Sequence, residues 1–296
     1  MTARENVPVA VFRAANNWPL YAAVRNRLID QVEVIHISSS KDQLAGLVNN
    51  EYGIVHTAAD NILAAYGNPG YGSPEASKPK IFMGGDNGFL SVYSSPAIRS
   101  LGELREKKVG FDSTNSGFAF VLKKILSIVG LKEGGYSEVV VGGTDLRYKA
   151  LIDRSIDAAI MTPPYDLLCS ASGFTKLADA SRYFPSYQGL VGACCPGFPG
   201  ASFLRAYKTS LVNALNWLKE RSNKDAAVHI LRDYLQAGTG TELISDLYDS
   251  MFSRKGVGFA DDGRVDLDGL SKVAMLRREF SPSAALRPLS DYLMKL

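Results

Sequence analysis

Short apolar runs alternate with stretches of helical period through the first two thirds of the chain. "VPVAVF" at 7–12 and "VEVIHI" at 32–37 have strand character, and "WPLYAAVRNRLI" between them spaces its apolar residues as a helix does. The alternation continues through "SKDQLAGLVNN", where Ser40 is placed to cap a helix, into the strand of "YGIVHTAAD" and the helix "NILAAYG". Alternation of this kind builds βαβ units around a parallel sheet. The Pro/Gly/Ser-rich stretch "GNPGYGSPEASKPK" reads as a loop, and "IFMGGDNGFLSVYSS" offers two strands about a turn.

From Ile98 the pattern restarts. A short helix "SLGELREK", the strand "KVGFD", a helix, the strand "EVVVGG", the helix "TDLRYKALID" and the strand "IDAAIMT" make a second α/β unit, and "GLVGACC" reads as a further strand. Everything from Ala201 onward is helical in period, and such a tail must pack somewhere, here on the first unit. The expected organisation is residues 1–94 as the first part of lobe 1, 95–186 as lobe 2, and 187–296 returning to lobe 1 with the C-terminal helices. No internal repeat is evident.

Composition narrows the class. At 296 residues the chain suits two lobes of ordinary domain size. With 46% apolar and 21% charged residues it has enough material for a sizeable core, and a mean hydropathy of -0.03 fits a protein that stays in solution. The net charge of +3 comes from scattered residues, so the basic stripe of a nucleic-acid binder is missing. No apolar run approaches the ~20 residues of a membrane span, so no membrane insertion is expected. Three cysteines, two of them adjacent at Cys194 and Cys195, give no spaced disulfide framework. "MTARENVPVAVFRAANNW" lacks the basic segment, long apolar run and small-residue cleavage site of a secretory signal.

One helix entrance is unusually polar. In "GFDSTNSGFAF", Asp112 to Ser116 precede a helix whose buried face is spelled by Phe118, Val121, Leu122, Ile125, Leu126 and Val129, with Gly130 closing it as the C′ residue. Capping needs one hydroxyl. The surplus hydroxyls, free backbone N–H groups and positive dipole end together suit an anion.

At this point "IRSLGELREKKVGFDSTNSG", "LRYKALIDRSIDAAIMTPPYD", "GFTKLADASRYFP" and "DLDGLSKVAMLRREF" resemble, in order and spacing, the substrate-binding proteins of the aliphatic sulfonate, taurine, nitrate and pyrimidine-precursor group. Arg154 stands where that family often has a turn glycine. The resemblance implies an α/β chain with the two-lobe type II periplasmic-binding-protein fold, two crossover strands and a helical C-terminal tail. It also implies a small organic anion as ligand, the permease of an ABC transporter as partner, no cofactor, and a periplasmic or cell-envelope setting. If Met1 is the native start, the absent signal makes the cytoplasm the alternative setting.

Ligands of open α/β folds sit beyond the carboxyl ends of strands, which selects four loops and the returning crossover. Asn16, Asn17 and Trp18 offer amides and a flat apolar wall, though Asn17 with Pro19 also suits a helix start and Trp18 a core position. His56, Thr57 and Asp60 follow a strand. Ser113, Thr114, Asn115, Ser116 and Gly117 would hold a sulfonate, carboxylate or phosphate. Thr162, Tyr165 and Asp166 follow a buried strand beside a Pro-Pro turn, and Tyr187 lies on the crossover.

Several chemistries lack their residues. There is no GxGxxG, phosphate-binding loop, GxSxG or CxxC, and His36, His56 and His229 are isolated, so no metal site is expected. "GACCPGF" keeps only part of the cysteine-rich run of the fungal pyrimidine synthases this family resembles, and adjacent cysteines at a strand end are more often small buried residues. Decarboxylases of dihydroxylated aromatic acids also resemble this architecture. In that alternative the helix entrance would clamp a carboxylate and His56 or Asp60 would donate the proton.

Overall fold

The computed structural model describes residues 6–67, 78–235, 240–252, 258–283 and 286–296. Most of the Pro/Gly/Ser-rich stretch at 67–80 lies outside the described residues. Two five-stranded sheets form, with strands numbered in chain order. The first joins β1 (Val7–Phe12), β2 (Val32–Ile37), β3 (Ile54–Ala58), β4 (Lys80–Gly84) and β10 (Leu190–Cys194) in the order β2-β1-β3-β10-β4. The second joins β5 (Ser91–Ser94), β6 (Lys108–Phe111), β7 (Ser137–Val140), β8 (Ala158–Met161) and β9 (Thr175–Asp179) in the order β7-β6-β8-β5-β9.

Each sheet is mixed rather than parallel, because the chain crosses between sheets twice. β10 runs antiparallel to β3 and β4, and β5 antiparallel to β8 and β9, while the other pairings are parallel. The two strand runs of "IFMGGDNGFLSVYSS" therefore belong to different sheets, and β5, assigned to the first lobe by sequence, lies in the second. The crossing segments, 85–90 and 180–189, touch. A Cβ on Gly189 would overlap Asp86 Oδ1 and come within 2.6 Å of the Gly88 nitrogen, so the crossing admits only glycine there.

Ten helices are described: α1 (Trp18–Arg25), α2 (Ser40–Val48), α3 (Ala59–Gly67), α4 (Gly117–Ile128), α5 (Thr144–Ile152), α6 (Tyr165–Ala171), α7 (Ala201–Lys219), α8 (Lys224–Tyr234), α9 (Thr241–Phe252) and α10 (Leu267–Phe280). The stretch "SLGELREK" forms only a 3₁₀ turn over Leu101–Leu104. Ser39, not Ser40, caps α2 by accepting the Asp42 N–H. In α4 the apolar face is buried except at its ends, where Phe118 is half-buried and Val129 exposed, and Gly130 takes φ +79° as a C′ residue does. Arg154 holds φ +55°, so this chain keeps the left-handed turn without the glycine.

The C-terminal helices divide their attachment. α7, α8 and α9 pack with α1 over one face of the first sheet in a single apolar cluster, which includes Val9, Val11, Trp18, Tyr207, Leu231 and Tyr248. α10 instead joins a second cluster that runs from Val55 and Ile62 of the first sheet side to Val92, Phe111 and Leu122 of the other. Its Phe280 stacks on Phe120 of α4 with ring centroids 6.0 Å apart, and Glu279 pairs with Lys124 at 2.8 Å. This helix therefore clasps both lobes. Among the described residues no helix is long and apolar enough to cross a membrane.

Candidate functional site

The carboxyl ends of β1, β3 and β4 in one sheet and of β6, β7, β8 and β9 in the other face the crossing segments, so the loops selected from sequence converge between the lobes. At the centre lies Tyr187, 5% exposed, on the second crossing. Burial raises its hydroxyl well above the usual range, and the charges of Asp60, Asp86 and Asp112 add to that while Arg277 opposes it. Its hydroxyl has no hydrogen-bond partner among the described residues.

The polar entrance of α4 is resolved atom by atom. Ser116 is the N-cap: its Oγ accepts the Ala119 N–H at 3.1 Å and donates to Asp112 Oδ1 at 2.6 Å. Ser113 Oγ accepts the Asn115 N–H at 3.3 Å within the preceding turn, and Ser113, Thr114 and Asn115 are exposed. The Gly117 backbone N–H faces the buried Asp60 carboxylate and favours its charged form. Arg277 of α10 grips the same carboxylate in a two-point fork, Nε to Oδ1 at 2.7 Å and Nη2 to Oδ2 at 2.5 Å. Burial pushes the Asp60 carboxyl up, while Arg277 and the Gly117 N–H draw it down.

Glycine at 117 is what permits this approach, since a Cβ there would lie 2.6 Å from that of Asp60. Of the anion seat expected at Ser113, Thr114, Asn115, Ser116 and Gly117, Ser116 is engaged by the cap and by Asp112 and Gly117 lies against the Asp60 carboxylate, while Ser113, Thr114 and Asn115 are exposed.

His56 and Asn17 form a closed relay inside lobe 1. Asn17 Nδ2 donates to the Phe12 carbonyl at 2.9 Å, which leaves its Oδ1 to accept from His56 Nδ1 at 2.8 Å; His56 Nε2 then accepts the Tyr207 hydroxyl at 2.8 Å. Both ring nitrogens are engaged, and burial lowers the imidazole to about 4, so it is neutral at pH 7. Trp18 is fully buried, donating Nε1 to the Ala227 carbonyl at 3.0 Å and meeting Tyr248 and Phe252 edge-on. It is core, not a cleft wall. Thr57 is likewise buried, accepting from Asn61 at 2.9 Å.

Two groups missed by sequence reasoning complete the cleft. Asp86, 3% exposed on the first crossing, takes the Gly88 N–H at 2.7 Å and the Leu190 N–H at 3.2 Å on Oδ1, while its Oδ2 has no partner among the described residues. Arg147, in the first turn of α5, lies across the strand ends of the second sheet near Thr162. Tyr165 tilts against Tyr148 with centroids 5.7 Å apart, and Asp166 is buried and accepts the adjacent Leu167 N–H at 2.9 Å. Arg147 and Arg277 each stand on the apolar face of their helix, three or four residues from Ala150 and Leu151 and from Val273 and Ala274. A charged residue in an otherwise apolar helical stripe was the available signal.

A separate cavity of about 30 Å³ in lobe 1, bordered by Asn16, His56, Met83, Leu211 and Phe259, holds no more than a water or two. A polar groove of about 270 Å³ beside the crossing is lined by Asp86, Asp262 and Asp266 against Arg264, an acidic surface unsuited to an anion. Among the described residues no cluster of His, Cys, Asp or Glu could hold a metal. Cys194 and Cys195 are buried, with Cys195 Sγ 3.5 Å from the Leu47 carbonyl. Burial raises the thiols of Cys169 and Cys194 to about 12 and that of Cys195 to about 11. None is expected to react with an aromatic disulfide reagent in the folded protein, and all three are expected to react after unfolding; labelling of the native chain would contradict their burial.

No protein-family model matches the chain, and no curated protein matches it. Solved structures do. The ligand-binding component of an ABC-type import system from Staphylococcus aureus, solved with zinc bound, superposes with a TM-score of 0.78 at 11% identity, covering 98% of this chain and 96% of that one. The periplasmic aliphatic sulphonate binding protein SsuA from Escherichia coli gives 0.76 at 14% identity, covering 99% and 93%. This chain has the type II periplasmic-binding-protein fold. The periplasmic nitrate-binding protein NrtA from Synechocystis PCC 6803 shares it at 0.70 and 13% identity, covering 97% and 90%. In this binding-protein fold the two sheets are the lobes and the 85–90 and 180–189 segments are the crossovers.

Proposed function

We propose that this protein is a solute receptor: it takes up a small organic anion between its lobes and delivers it unchanged to a membrane importer. The observation that favours a receptor over an enzyme on the same fold is the state of the two candidate proton donors. His56 has both nitrogens bonded and is neutral, and Asp60 is held by Arg277 with the Gly117 N–H facing it, so neither is free to protonate a carbanion. SsuA and NrtA are named as periplasmic binding proteins, and the Staphylococcus aureus neighbour as a component of an import system, which supports an ABC-type permease as partner and an extracytoplasmic setting. Lobe closure would be the state the permease reads.

A thermal-shift screen against sulfonates, aromatic and aliphatic carboxylates and pyrimidines tests this, with each hit recovered and weighed by mass spectrometry. The expected outcome is a stabilising anion recovered unchanged. A hit recovered lighter by the mass of carbon dioxide would overturn the receptor reading.

A further inference from the structure

Two arginines are buried among the described residues, and only one has an anionic partner there. Arg277 has Asp60; Arg147, 1% exposed, has no carboxylate in contact among the described residues. Its Nε donates to the Ile160 carbonyl at 3.1 Å, Nη1 to the Gly142 carbonyl at 2.6 Å, and Nη2 to Thr144 Oγ1 at 2.9 Å. A guanidinium carries five N–H groups, so two remain without an acceptor, and the charge itself is met only at a distance by Asp112 and Asp145. Burying a cation without an anion is costly, and a need to pin one loop would be met by a neutral side chain.

The neighbouring groups add donors. Thr144 Oγ1 accepts from both Arg147 and Thr162, the latter at 3.2 Å, so its own hydroxyl proton must point elsewhere, and no acceptor for it is present among the described residues. The N-cap of α5, Gly143, provides no side-chain acceptor for the first-turn amides. Unpaired N–H groups, an unpaired O–H and a helix N-terminus thus meet at the carboxyl ends of β7 and β8.

We infer that Arg147 and Thr144 form the anion anchor of the cleft, receiving the carboxylate or sulfonate head of the ligand at the start of α5. The inference rests on the receptor reading and relocates its head-group site from α4, whose first residue, Gly117, lies against Asp60, to α5. A planar guanidinium with two free N–H groups suits a flat or tetrahedral oxyanion equally, and replacement by lysine keeps the charge but loses the fork.

The test uses the full chain. The Arg147 Nε–H is buried and hydrogen-bonded, so its nitrogen-15 resonance is observable, and loss of that peak in Arg147→Lys assigns it. Titration with methanesulfonate, benzoate and acetate is expected to shift this resonance saturably with at least one of the three, and which one responds separates sulfonate from carboxylate. Arg147→Lys and Thr144→Val are each expected to bind that anion about tenfold more weakly; Thr144→Val provides a folded control if the arginine variant is unstable. An Arg147 resonance that no anion moves, or unchanged affinity in both variants, overturns the inference. Should the Tyr187 amide respond while Arg147 does not, the anchor lies elsewhere and the receptor reading stands; should neither respond, that reading falls with it.

Discussion

Arg277→Met is expected to destabilise the protein by about 3–5 kcal/mol, because it leaves the Asp60 carboxylate buried without its cation. Both partners are nearly inaccessible, at 1% and 3% exposure, so water cannot replace what the arginine supplied. The loss should be local in origin but wide in effect. Arg277 also lies over the Phe120 ring at 5.1 Å, and α10 ties α3 to α4, so the interlobe contact weakens with it. The double variant Asp60→Leu with Arg277→Met removes both charges and should recover most of the loss. Urea unfolding of the three proteins measures this. A single variant as stable as the parent would show that the pair is not the clasp described here, and a double variant as unstable as the single would mean that lost packing, not a stranded charge, is the cause.

The second large effect is on pH dependence, through His56. The unfolded imidazole takes up a proton near its ordinary value of about 6.5, whereas the buried ring resists protonation until about 4. Between those values the unfolded chain binds the extra proton, so stability falls as pH falls. The His56 contribution is complete above about pH 6.5 and is lost progressively toward pH 4, amounting to about 3 kcal/mol over that window. Asp60 and Asp86, whose carboxyls burial raises, act in the opposite sense. Comparison with His56→Gln isolates the imidazole, since both carboxyls are common to the two proteins. Denaturant melts at a series of pH values should show the steeper decline in the parent. Parallel profiles would mean that the ring is not the neutral link between Asn17 and Tyr207.

Much of the fold was legible because its elements carry their own periodicity. The strands of "VPVAVF" and "GLVGACC", and the capped helix behind "STNSG", follow from local pattern. Strand direction was less legible: that β5 joins the second sheet and runs antiparallel depends on the crossing at Gly189, which no local pattern records. The site shows the same division. Whether a polar residue in a strand-end loop is free or engaged depends on partners far away in sequence. Asp60 and Arg277 are 217 positions apart, and His56 and Tyr207 are 151 apart. Hence the hydroxyls before α4 read as a ligand seat. In fact the Ser116 hydroxyl caps α4 and donates to Asp112, Ser113 Oγ accepts an N–H within its turn, and Gly117 lies against the Asp60 carboxylate of the other lobe. Arg147 left a sequence signal, a cation in the apolar stripe of α5, and its lack of a counter-charge became visible only in three dimensions.

The most direct test of the account is a crystal structure of the protein with the strongest anion from the thermal-shift screen. The account predicts the ligand between the lobes, with its oxyanion against Arg147 and Thr144 and its body reaching the Tyr187 hydroxyl, while the Asp60–Arg277 pair stays intact. A ligand seated outside that space, in the lobe 1 cavity beside Met83 and Leu211 or on the outer surface, would contradict it.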